Sequence, residues 1–457
     1  EGRGFTREGR CTQESGAWAT QWPPVSLATT ASLLEKEGHR LRVLDCPAAG
    51  VGRVRLEALI REDQPDFVFW TTATPTLDDD LDLGRFVKGA APRAVTGVLG
   101  THVTAMPEVA LENPHVDTVI RREPEMTINE LCRHKDGVWG NIRGLSYREG
   151  EDVHHNQDRD FLSPGDIPSP SWHFLDTTTY RLPLKGSPFL IVAPIRGCPY
   201  ACNFCTAPVY YGKRIRKRPV KDVVNELEDS ISRFQVRDFF IWADTFTADK
   251  GYVKQFCQEI MSRGLRISWT CNSRVDTVDN EMLKMMKAAG LWMISFGLES
   301  GNDEVLRRTG KNITVRQSRE AVTLAHQMGI KTSGHFMLGL PGESGGTMVE
   351  TLDLALDLPL DIAQFYAAAP FPGTGLYKEA SSKGWLRRPS AFSQSQAVMD
   401  LPGLPAKRVD KFRRYAYKKF YMRTGTLMNI FLMVRAGAIA NSLKNLPKFF
   451  HWAVSAR

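Results

Sequence analysis

Three cysteines within eight residues are the part of this sequence whose chemistry is clearest. Cys198, Cys202 and Cys205 form a CxxxCxxC pattern, with an aromatic residue directly before the third cysteine. Thiolates bind soft metals and iron–sulfur clusters, and three of them on one short loop can hold three irons of a [4Fe–4S] cube. The fourth iron would then stay open for a substrate or a cofactor.

A structural zinc site and unrelated thiols are the other interpretations of these cysteines. Structural zinc needs four ligands, and no fourth Cys or His stands nearby at finger-like spacing. The eight cysteines of the chain are too sparse for a disulfide scaffold. We therefore predict an iron–sulfur cluster in a reducing compartment.

The CxxxCxFC motif resembles the signature of the radical S-adenosylmethionine (SAM) superfamily. The resemblance implies that the methionine part of SAM chelates the open iron. It also implies that one electron from the cluster cleaves SAM to a 5′-deoxyadenosyl radical, which removes a hydrogen atom from an unactivated carbon. An external electron donor such as flavodoxin or ferredoxin is then an expected partner.

The resemblance assigns further residues at predicted strand ends to SAM. Asp244 stands where the superfamily has an acidic contact to the SAM amine, although the usual glycines are absent. Arg274 could reach the SAM carboxylate, and Glu299 could reach the ribose hydroxyls. The remaining candidates for SAM contacts are Phe204, Asn272, Ser300 and Leu340. Each of these turns also has an ordinary interpretation as local turn chemistry.

The part of the sequence that holds these candidates contains six strand-like runs separated by helical patterns. The β/α alternation predicts an open partial barrel, whose active site would lie at the C-terminal ends of the strands. The predicted strands are Phe189–Ile195, Asp238–Ala243, Ile267–Asn272, Trp292–Gly297, Thr332–Leu338 and Ile362–Ala368. The predicted helices include Lys221–Phe234, Tyr252–Arg263, Asn280–Ala289 and Val315–Met328.

The first part of the chain also alternates strands and helices, which predicts a parallel, doubly wound sheet. Its predicted strands are Arg40–Asp45, Asp66–Trp70, Ala94–Leu99 and Val116–Ile120, and its helices include Val25–Glu37 and Val54–Arg61. Such sheets usually begin with a strand, whereas Gly2–Gln21 looks like a glycine-rich loop. We therefore expect the opening strand to be missing from the chain.

A doubly wound domain before such a barrel resembles the cobalamin-binding class of radical SAM enzymes. The closest branch contains the anaerobic Mg-protoporphyrin ester cyclase and several lipid-modifying enzymes. The residues that support this resemblance lie at the ends of predicted strands, where a doubly wound sheet binds its ligands. The cobalamin candidates are Thr71, Thr72, Thr74, Gly97, Gly100, Thr101, His102 and Glu123. His102 could donate to the cobalamin tail, or it could be a helix-cap or surface residue.

Residues 45–50 depart from one pattern of this class. Cobalamin domains that replace the lower cobalt ligand carry Asp-x-His-x-x-Gly, whereas Pro47 takes the histidine position here. We therefore expect no histidine–cobalt bond. A Rossmann-like domain that binds nothing, or that binds a dinucleotide, is the alternative, although no GxGxxG follows a strand.

Composition divides the chain into four regions. We predict a cobalamin-binding domain at 1–143, a polar linker at 144–185, the radical SAM barrel at 186–380 and a basic, mostly helical region at 381–457. The predicted fold class is therefore α/β. A Rossmann-like domain precedes a partial (β/α)6 barrel, and a helical C-terminal region follows.

The net charge of +8 is concentrated in the last region, because residues 405–457 hold twelve Lys and Arg against one acid. A nucleic-acid footprint over the whole chain is therefore a poor interpretation. Cations alternate with aromatic side chains in Lys407–Lys419, and Thr424–Leu443 and Pro447–Trp452 are largely apolar. This pattern favours either a region that lies on a membrane surface or a helical cap on the barrel.

These features predict a cobalamin-dependent radical SAM methyltransferase that methylates an unactivated carbon through a 5′-deoxyadenosyl radical and methylcobalamin. An oxidative cyclase or carbon–carbon bond-forming enzyme on a lipid or tetrapyrrole is the first alternative, and a non-catalytic carrier is the second. The expected substrate is a hydrophobic small molecule, and no nucleic-acid partner is expected. No run reaches the roughly 18 apolar residues of a membrane span, so we expect a cytoplasmic protein that could associate with a membrane.

Overall fold

The structure is a computed structural model that describes residues 21–135, 137–387, 392–435 and 437–438. The expectations for Pro447–Trp452 and for nearly all of Gly2–Gln21 lie outside the described residues. The same holds for the last residues of Thr424–Leu443.

The first sheet has five strands in the order β1-β2-β3-β4-β5. Three parallel strands, β1 (Phe67–Thr71), β2 (Val95–Leu99) and β3 (Thr118–Ile120), confirm the predicted doubly wound core. An antiparallel hairpin, β4 (Leu145–Glu149) and β5 (Asp152–His155), extends the sheet beyond β3. The sheet is therefore mixed rather than purely parallel.

In the described part of this region, seven helices accompany the sheet: α1 (Val25–Lys36), α2 (Cys46–Ala49), α3 (Arg53–Asp63), α4 (Leu77–Ala90), α5 (Thr101–Ala105), α6 (Pro107–Leu111) and α7 (Glu125–Arg133). Successive strand residues point to opposite faces of a sheet. Val98 packs in one apolar cluster with residues of α4, and Leu99 packs in another with residues of α7. Both faces of the sheet are therefore covered by helices.

Two predictions about this region are wrong. Arg40–Asp45 is not a strand, because it forms no hydrogen-bonded ladder with any strand of the described sheet. The region 144–185 is not a linker throughout, because it begins with β4 and β5. Leu145 and Tyr147 alternate with polar residues and bury their side chains in the core, and this short alternation is easily read as a polar loop.

The second sheet contains six parallel strands in the order β13-β12-β11-β10-β9-β6, which confirms the six predicted β/α units. A short antiparallel pair, β7 and β8, lies outside it. The strands of this half are β6 (Phe189–Val192), β7 (Ile195–Arg196), β8 (Arg216–Lys217), β9 (Asp238–Ile241), β10 (Ser268–Ser273), β11 (Leu291–Glu299), β12 (Lys331–Leu338) and β13 (Ile362–Ala367).

The helices of this half are α8 (Ala207–Tyr210), α9 (Val220–Phe234), α10 (Lys250–Ser262), α11 (Asn280–Ala288), α12 (Asp303–Arg308), α13 (Val315–Gln327), α14 (Gly345–Asp357), α15 (Gly375–Ser382), α16 (Ala406–Tyr421) and α17 (Thr424–Met433). Single-turn 3-10 helices occupy Thr74–Thr76, Pro164–Asp166, Trp172–Phe174, Thr177–Thr179, Phe246–Ala248 and Val275–Thr277. Side-chain caps fix several helix starts; Thr314 and Gln317, for example, form a capping box on α13.

The helices cover the convex face of the partial barrel. Phe296, Phe336 and Phe365 point to this face and are fully buried. The tail helix α16 covers β13, the last strand of the barrel. Phe420 lies edge-on to Phe365, and the Tyr421 hydroxyl donates to the carbonyl of Ala363 at 2.8 Å. Part of the basic tail is therefore a cap on the barrel. Among the helices in the described ranges, none has the length and apolar run needed to cross a bilayer.

Candidate functional site

The loop that carries the three cysteines is tied at its base by the β7–β8 hairpin. Gly197 stands directly before Cys198 with φ of +87°, and a Cβ atom there would lie 2.2 Å from the carbonyl oxygen of Arg214. Only glycine fits such a close approach in a left-handed conformation. The backbone N–H of Asn203 donates to the carbonyl of Thr309 at 2.9 Å, which attaches the loop to the barrel.

The three thiols fit an iron–sulfur cluster better than a single metal ion. Cys198 is buried with its Sγ 3.6 Å from the hydroxyl of Thr245, whereas Cys202 and Cys205 are half-buried. Within the described ranges, no three His, Cys, Asp or Glu side chains converge closely enough to hold one ion. A cube gives each thiolate its own iron, so its three cysteines need not meet at one point.

Two cations lie close to Cys202. Burial raises the pKa of its thiol to about 11, while Lys311 and Arg274 act in the opposite direction. Arg274 Nη1 is 3.9 Å from the Cys202 sulfur. A metal-bound thiol must lose its proton, and nearby positive charge favours the thiolate form.

Arg274 is already engaged in several contacts. Its guanidinium forms a two-pronged pair with Asp276 at 2.9 and 2.8 Å and donates to the carbonyl of Lys311 at 2.8 Å. It also lies 3.7 Å from the centre of the Tyr200 ring. These contacts place Arg274 beside the cysteine loop, and its fork is used within the protein rather than held open for a SAM carboxylate.

The other candidates near the loop lie at the C-terminal edge of the barrel. Asp244 is buried, and one of its carboxylate oxygens accepts from the backbone N–H of Gly197 at 3.1 Å. Asn272 lies half-buried near the end of β10. Phe204 packs partly buried against the barrel core. Asp244 therefore fixes the cysteine loop from the neighbouring strand.

Glu299 forms a buried ion pair at the end of β11. Its Oε1 accepts from Lys311 Nζ at 2.8 Å, and both side chains are about nine-tenths buried. Glu299 adopts a left-handed backbone with φ of +62°, a conformation that is costly for residues other than glycine.

Ser300 and Leu340 use their polar atoms inside turns. The Ser300 hydroxyl is fully buried and lies 3.2 Å from that of Thr351. The N–H of Leu340 donates to Glu343 Oε2 and its carbonyl accepts from the N–H of Glu343, both at 3.0 Å. Burial raises the pKa of Glu343 to about 8. These two residues shape the edge of the site, and their own polar groups are occupied.

A pocket lies at the C-terminal edge of the first sheet, between β1 and β2. Six of the eight cobalamin candidates line it: Thr71, Thr72, Thr74, Gly100, Thr101 and His102. The rest of the lining consists of Ser26 of α1, Tyr210 of α8, Ala73 and Leu99. Tyr210 belongs to the helix that directly follows the cysteine loop, so α8 connects that loop to the lining of the pocket.

Two features of the pocket fit a bound polar molecule. The Nδ1 atom of His102 is buried without a hydrogen-bond partner, and burial lowers the pKa of this residue to about 4. Gly100 has φ of +147°, and a Cβ atom there would lie 2.5 Å from the carbonyl oxygen of Thr72. A neutral imidazole beside a glycine cradle can accept or donate one hydrogen bond to a ligand. The pocket thus suits the nucleotide tail of a cobalamin.

The two remaining cobalamin candidates lie elsewhere. A Cβ atom at Gly97 would collide with the Phe69 ring at 2.6 Å, so this glycine serves packing inside the sheet. Glu123 accepts two hydrogen bonds from Arg216, at 2.8 and 2.7 Å, and lies 3.2 Å from Arg196. Glu123 therefore belongs to a buried ion cluster and does not line the pocket; its assignment to cobalamin stays a prediction.

The ion cluster also contains Glu125, which accepts from Arg196 Nη2 at 2.6 Å. Its four members are all buried. Although burial opposes ionisation, Arg196 and Arg216 hold the pKa of Glu123 below its ordinary value. Sequence reasoning missed the two arginines, because no local pattern pairs residues so far apart in the chain.

Pro47 lies in α2, where the predicted departure from the histidine-bearing pattern occurs. Asp45 caps this helix through the N–H of Ala48 at 3.2 Å and accepts from the Tyr180 hydroxyl at 3.0 Å. Its carboxylate is thus used for local structure and for contact with the second half. The absence of a histidine–cobalt bond stays a prediction.

The fold and these two neighbouring sites define a two-domain radical SAM enzyme. Residues 192–355 match the model of the Radical SAM superfamily, and residues 17–132 match that of the B12 binding domain. The chain belongs to the cobalamin-binding branch of the radical SAM superfamily and is an enzyme of a methyltransferase family.

Known proteins of similar sequence or structure match most of the chain. An uncharacterized methyltransferase PH0819 of Pyrococcus horikoshii is 32% identical over 95% of this chain and 95% of its own length. An anaerobic magnesium-protoporphyrin IX monomethyl ester cyclase of Cereibacter sphaeroides is 28% identical over 89% of this chain and 68% of its own length. The structure of the radical SAM methyltransferase TsrM from Kitasatospora setae has a TM-score of 0.69 at 17% identity, covering 92% of this chain and 89% of that one.

Proposed function

We propose that this protein is a cobalamin-dependent radical SAM methyltransferase that methylates an unactivated carbon of a small molecule. The observation that carries the proposal is Tyr210, which lines the pocket of the first domain and follows the cysteine loop by five residues. Two cofactors held near each other can act on one substrate.

Each cofactor has a proposed set of residues. Cys198, Cys202 and Cys205 would hold a [4Fe–4S] cluster, and Asp244, Asn272 and Glu299 would contact SAM. The lining threonines, Gly100 and His102 would hold cobalamin. When bound, these groups would supply a hydrogen-abstracting radical and a transferable methyl group, with electrons from an external flavodoxin or ferredoxin.

The residues of the chain would contribute positioning and shielding rather than acid–base chemistry. Asp244 would keep the cysteine loop in register through the N–H of Gly197. The Lys311 ammonium would fix the Glu299 carboxylate, which would leave one carboxylate oxygen for ribose hydroxyls. Hydrogen-atom transfer needs no general base, so none is assigned.

The proposal is tested with anaerobically reconstituted full-length protein, cobalamin, a reductant and SAM labelled on its methyl group. We expect label on cobalamin together with 5′-deoxyadenosine. The Cys198→Ala variant should lose the cluster absorption and the deoxyadenosine. The matched variant Cys46→Ala, at a half-buried cysteine of α2, should keep both.

A radical SAM cyclase is the second candidate, favoured by the 28% identity to the ester cyclase. Deoxyadenosine formation without any label on cobalamin or product would support the cyclase and contradict the methyltransferase. A protein that produces no deoxyadenosine, despite an assembled cluster, would contradict both.

We also propose that the C-terminal helices contact an anionic membrane surface. Leu427, Met428, Phe431 and Leu432 of α17 are 43% to 75% exposed. Lys411, Arg414 and Lys418 of α16 are exposed nearby in the chain. Apolar side chains beside cations are typical of segments that bind at a lipid interface.

A further inference from the structure

The concave face of the barrel sheet has an aromatic half on β6 and β9. Trp22, which precedes α1, lies edge-on to Phe189, Phe240 and Trp242, with ring centroids 4.8 to 5.8 Å apart. These three barrel rings are nearly or fully buried. The aromatic half is therefore filled by a side chain of the protein itself.

The other half of the concave face, on β10 to β13, has buried apolar residues, Met293, Met337 and Ile362, and half-buried residues that are mostly polar. Asn272 pairs in register with Ser295, and Gly297 pairs with His335, which pairs with Gln364. Paired residues of parallel strands point to the same face of a sheet. All five are half-buried, whereas their neighbours on the convex face are fully buried. The accessible part of the concave face is therefore polar.

Three side chains of this half form a hydrogen-bonded row. The Tyr366 hydroxyl donates to Gln364 Oε1, and its oxygen lies 2.9 Å from His335 Nδ1. A hydroxyl has one proton to donate, so the Tyr366 oxygen accepts from the N–H at Nδ1 of His335. The His335 and Tyr366 rings lie within 10° of parallel. The row is thus held in one arrangement before any ligand arrives.

The row lies next to the proposed SAM site. Gly297 of β11 is paired with His335 of the neighbouring strand β12. A Cβ atom on Gly297 would lie 2.6 Å from Glu299 Oε1 and 2.7 Å from Lys311 Nζ. A molecule bound on the row would therefore meet the edge where the radical is formed.

The six barrel strands offer no unpaired charge to such a molecule. Their charged residues are Asp238, Glu299 and Lys331, all within the described residues. Each lies at a strand end and pairs with Lys185, Lys311 or Asp361 at 2.6 to 2.9 Å. A charged group placed against these strands would lose its hydration and would find no unpaired counter-charge on them.

We propose that the row of His335, Tyr366 and Gln364 is the substrate-recognition site, and that it binds an uncharged hydrogen-bonding group such as a hydroxyl or an amide. The inference rests on the proposed function, which makes the barrel interior a substrate site. It also narrows the hydrophobic substrate expected from the sequence to one that carries a neutral polar group. A site built to hydrogen-bond discriminates strongly against molecules that lack the matching group.

The test uses ligand-observed NMR on the full-length, reconstituted protein with four probes on one ring. The probes are cyclohexanol, cyclohexanecarboxamide, cyclohexanecarboxylate and cyclohexylamine. We expect the alcohol and the amide to bind at least about fivefold more tightly than the two charged probes. His335→Leu and Gln364→Leu should weaken alcohol binding by about fivefold or more.

Two further variants separate recognition from folding. His154→Leu makes the same change on β5 of the first sheet and should leave alcohol binding unchanged. His335→Gln keeps a hydrogen-bonding side chain and should retain most of the affinity. Equal binding of a charged probe, absence of alcohol binding to the unmodified protein, or unchanged affinity in His335→Leu would each overturn the inference.

The probe experiment is independent of turnover. A protein that shows the expected probe preference but transfers no label from SAM would contradict the proposed function alone. A protein that transfers label but binds the probes without preference would contradict this inference alone.

Discussion

Arg274 has contacts in the structure that the sequence does not predict. The sequence alone assigns it to the SAM carboxylate, because it ends a barrel strand. In the structure Asp276 and the carbonyl of Lys311 hold the guanidinium, and Nη1 lies 3.9 Å from Cys202 Sγ. A fixed positive charge beside a cluster ligand stabilises the more negative, reduced state of that cluster.

Replacing Arg274 should therefore change the cluster potential. We expect Arg274→Gln to shift the midpoint potential to more negative values by an amount on the order of 50 mV. Arg274→Lys, which keeps the charge, should shift it less. Potentiometric titration monitored by electron paramagnetic resonance measures the change.

The exposed Arg316 on α13 provides the control, since its side chain is 80% exposed. Arg316→Gln should leave the potential unchanged. An Arg274→Gln cluster that titrates at the unmodified potential would rule out the electrostatic role.

At the level of elements, α16 and α17 share the tail but differ in what they bury. The apolar face of α16 lies against β13, so it stabilises the barrel. Four of the six apolar residues of α17, Leu427, Met428, Phe431 and Leu432, remain exposed, which is costly in water unless another surface covers them.

Vesicle flotation tests the lipid contact of α17. Replacing Leu427, Met428, Phe431 and Leu432 with serine should weaken binding to phosphatidylglycerol vesicles more than about tenfold, because less apolar area is buried in the interface. Binding of the unmodified protein should also fall with added salt, since the cations are screened.

Serine substitutions at the exposed Val54 and Val153, which lie in the first domain, are the control and should not change flotation. If the α17 variant floats as well as the unmodified protein, the membrane proposal fails and α17 has another partner.

The elements that the sequence predicts are those whose own apolar pattern indicates which faces are buried. The apolar run of β6, Phe189–Val192, predicts a strand covered on both faces. The β4–β5 hairpin escaped prediction, because most of its residues are polar and Asp152–His155 is exposed throughout. Arg40–Asp45 shows the opposite error. Its alternating pattern predicts a strand, but the segment forms no ladder with any described strand.

The candidate site was predictable where a motif is local. The cysteine triplet and the threonines after β1 are short-range patterns, and the structure gathers the threonines in one pocket. Contacts between Glu123 and Arg216, or between His335 and Tyr366, join residues from distant parts of the chain. Such pairs follow from tertiary packing and leave no trace in local spacing.

At the scale of the whole molecule, the buried ion cluster joins the two domains. Glu123 and Glu125 come from the first domain, and Arg196 and Arg216 flank the cysteine loop. Removing one member of a buried ion cluster leaves an uncompensated charge, which is far more costly than losing a surface pair.

The cluster predicts a large stability effect. Glu123→Gln should lower the free energy of unfolding by about 3–5 kcal/mol near neutral pH, measured by urea denaturation. Because the native pKa of Glu123 is lowered, its stabilising contribution is complete above the ordinary carboxyl pKa. The contribution is lost as the pH falls through the lowered value.

The exposed pair of Glu57 and Arg61 on α3 offers a comparison. Glu57→Gln should cost about 0.5 kcal/mol or less. Equal effects of the two substitutions would show that the buried cluster does not hold the domains together.

Trp22 makes the packing of the barrel depend on the first domain. Because its indole completes the aromatic packing around Phe240 and Trp242, a barrel expressed without the first domain would carry an open, water-accessible gap among large rings. If first domains were exchanged between related enzymes, the new first domain would therefore have to supply a tryptophan at the position of Trp22. A barrel without the first domain should be prone to aggregate.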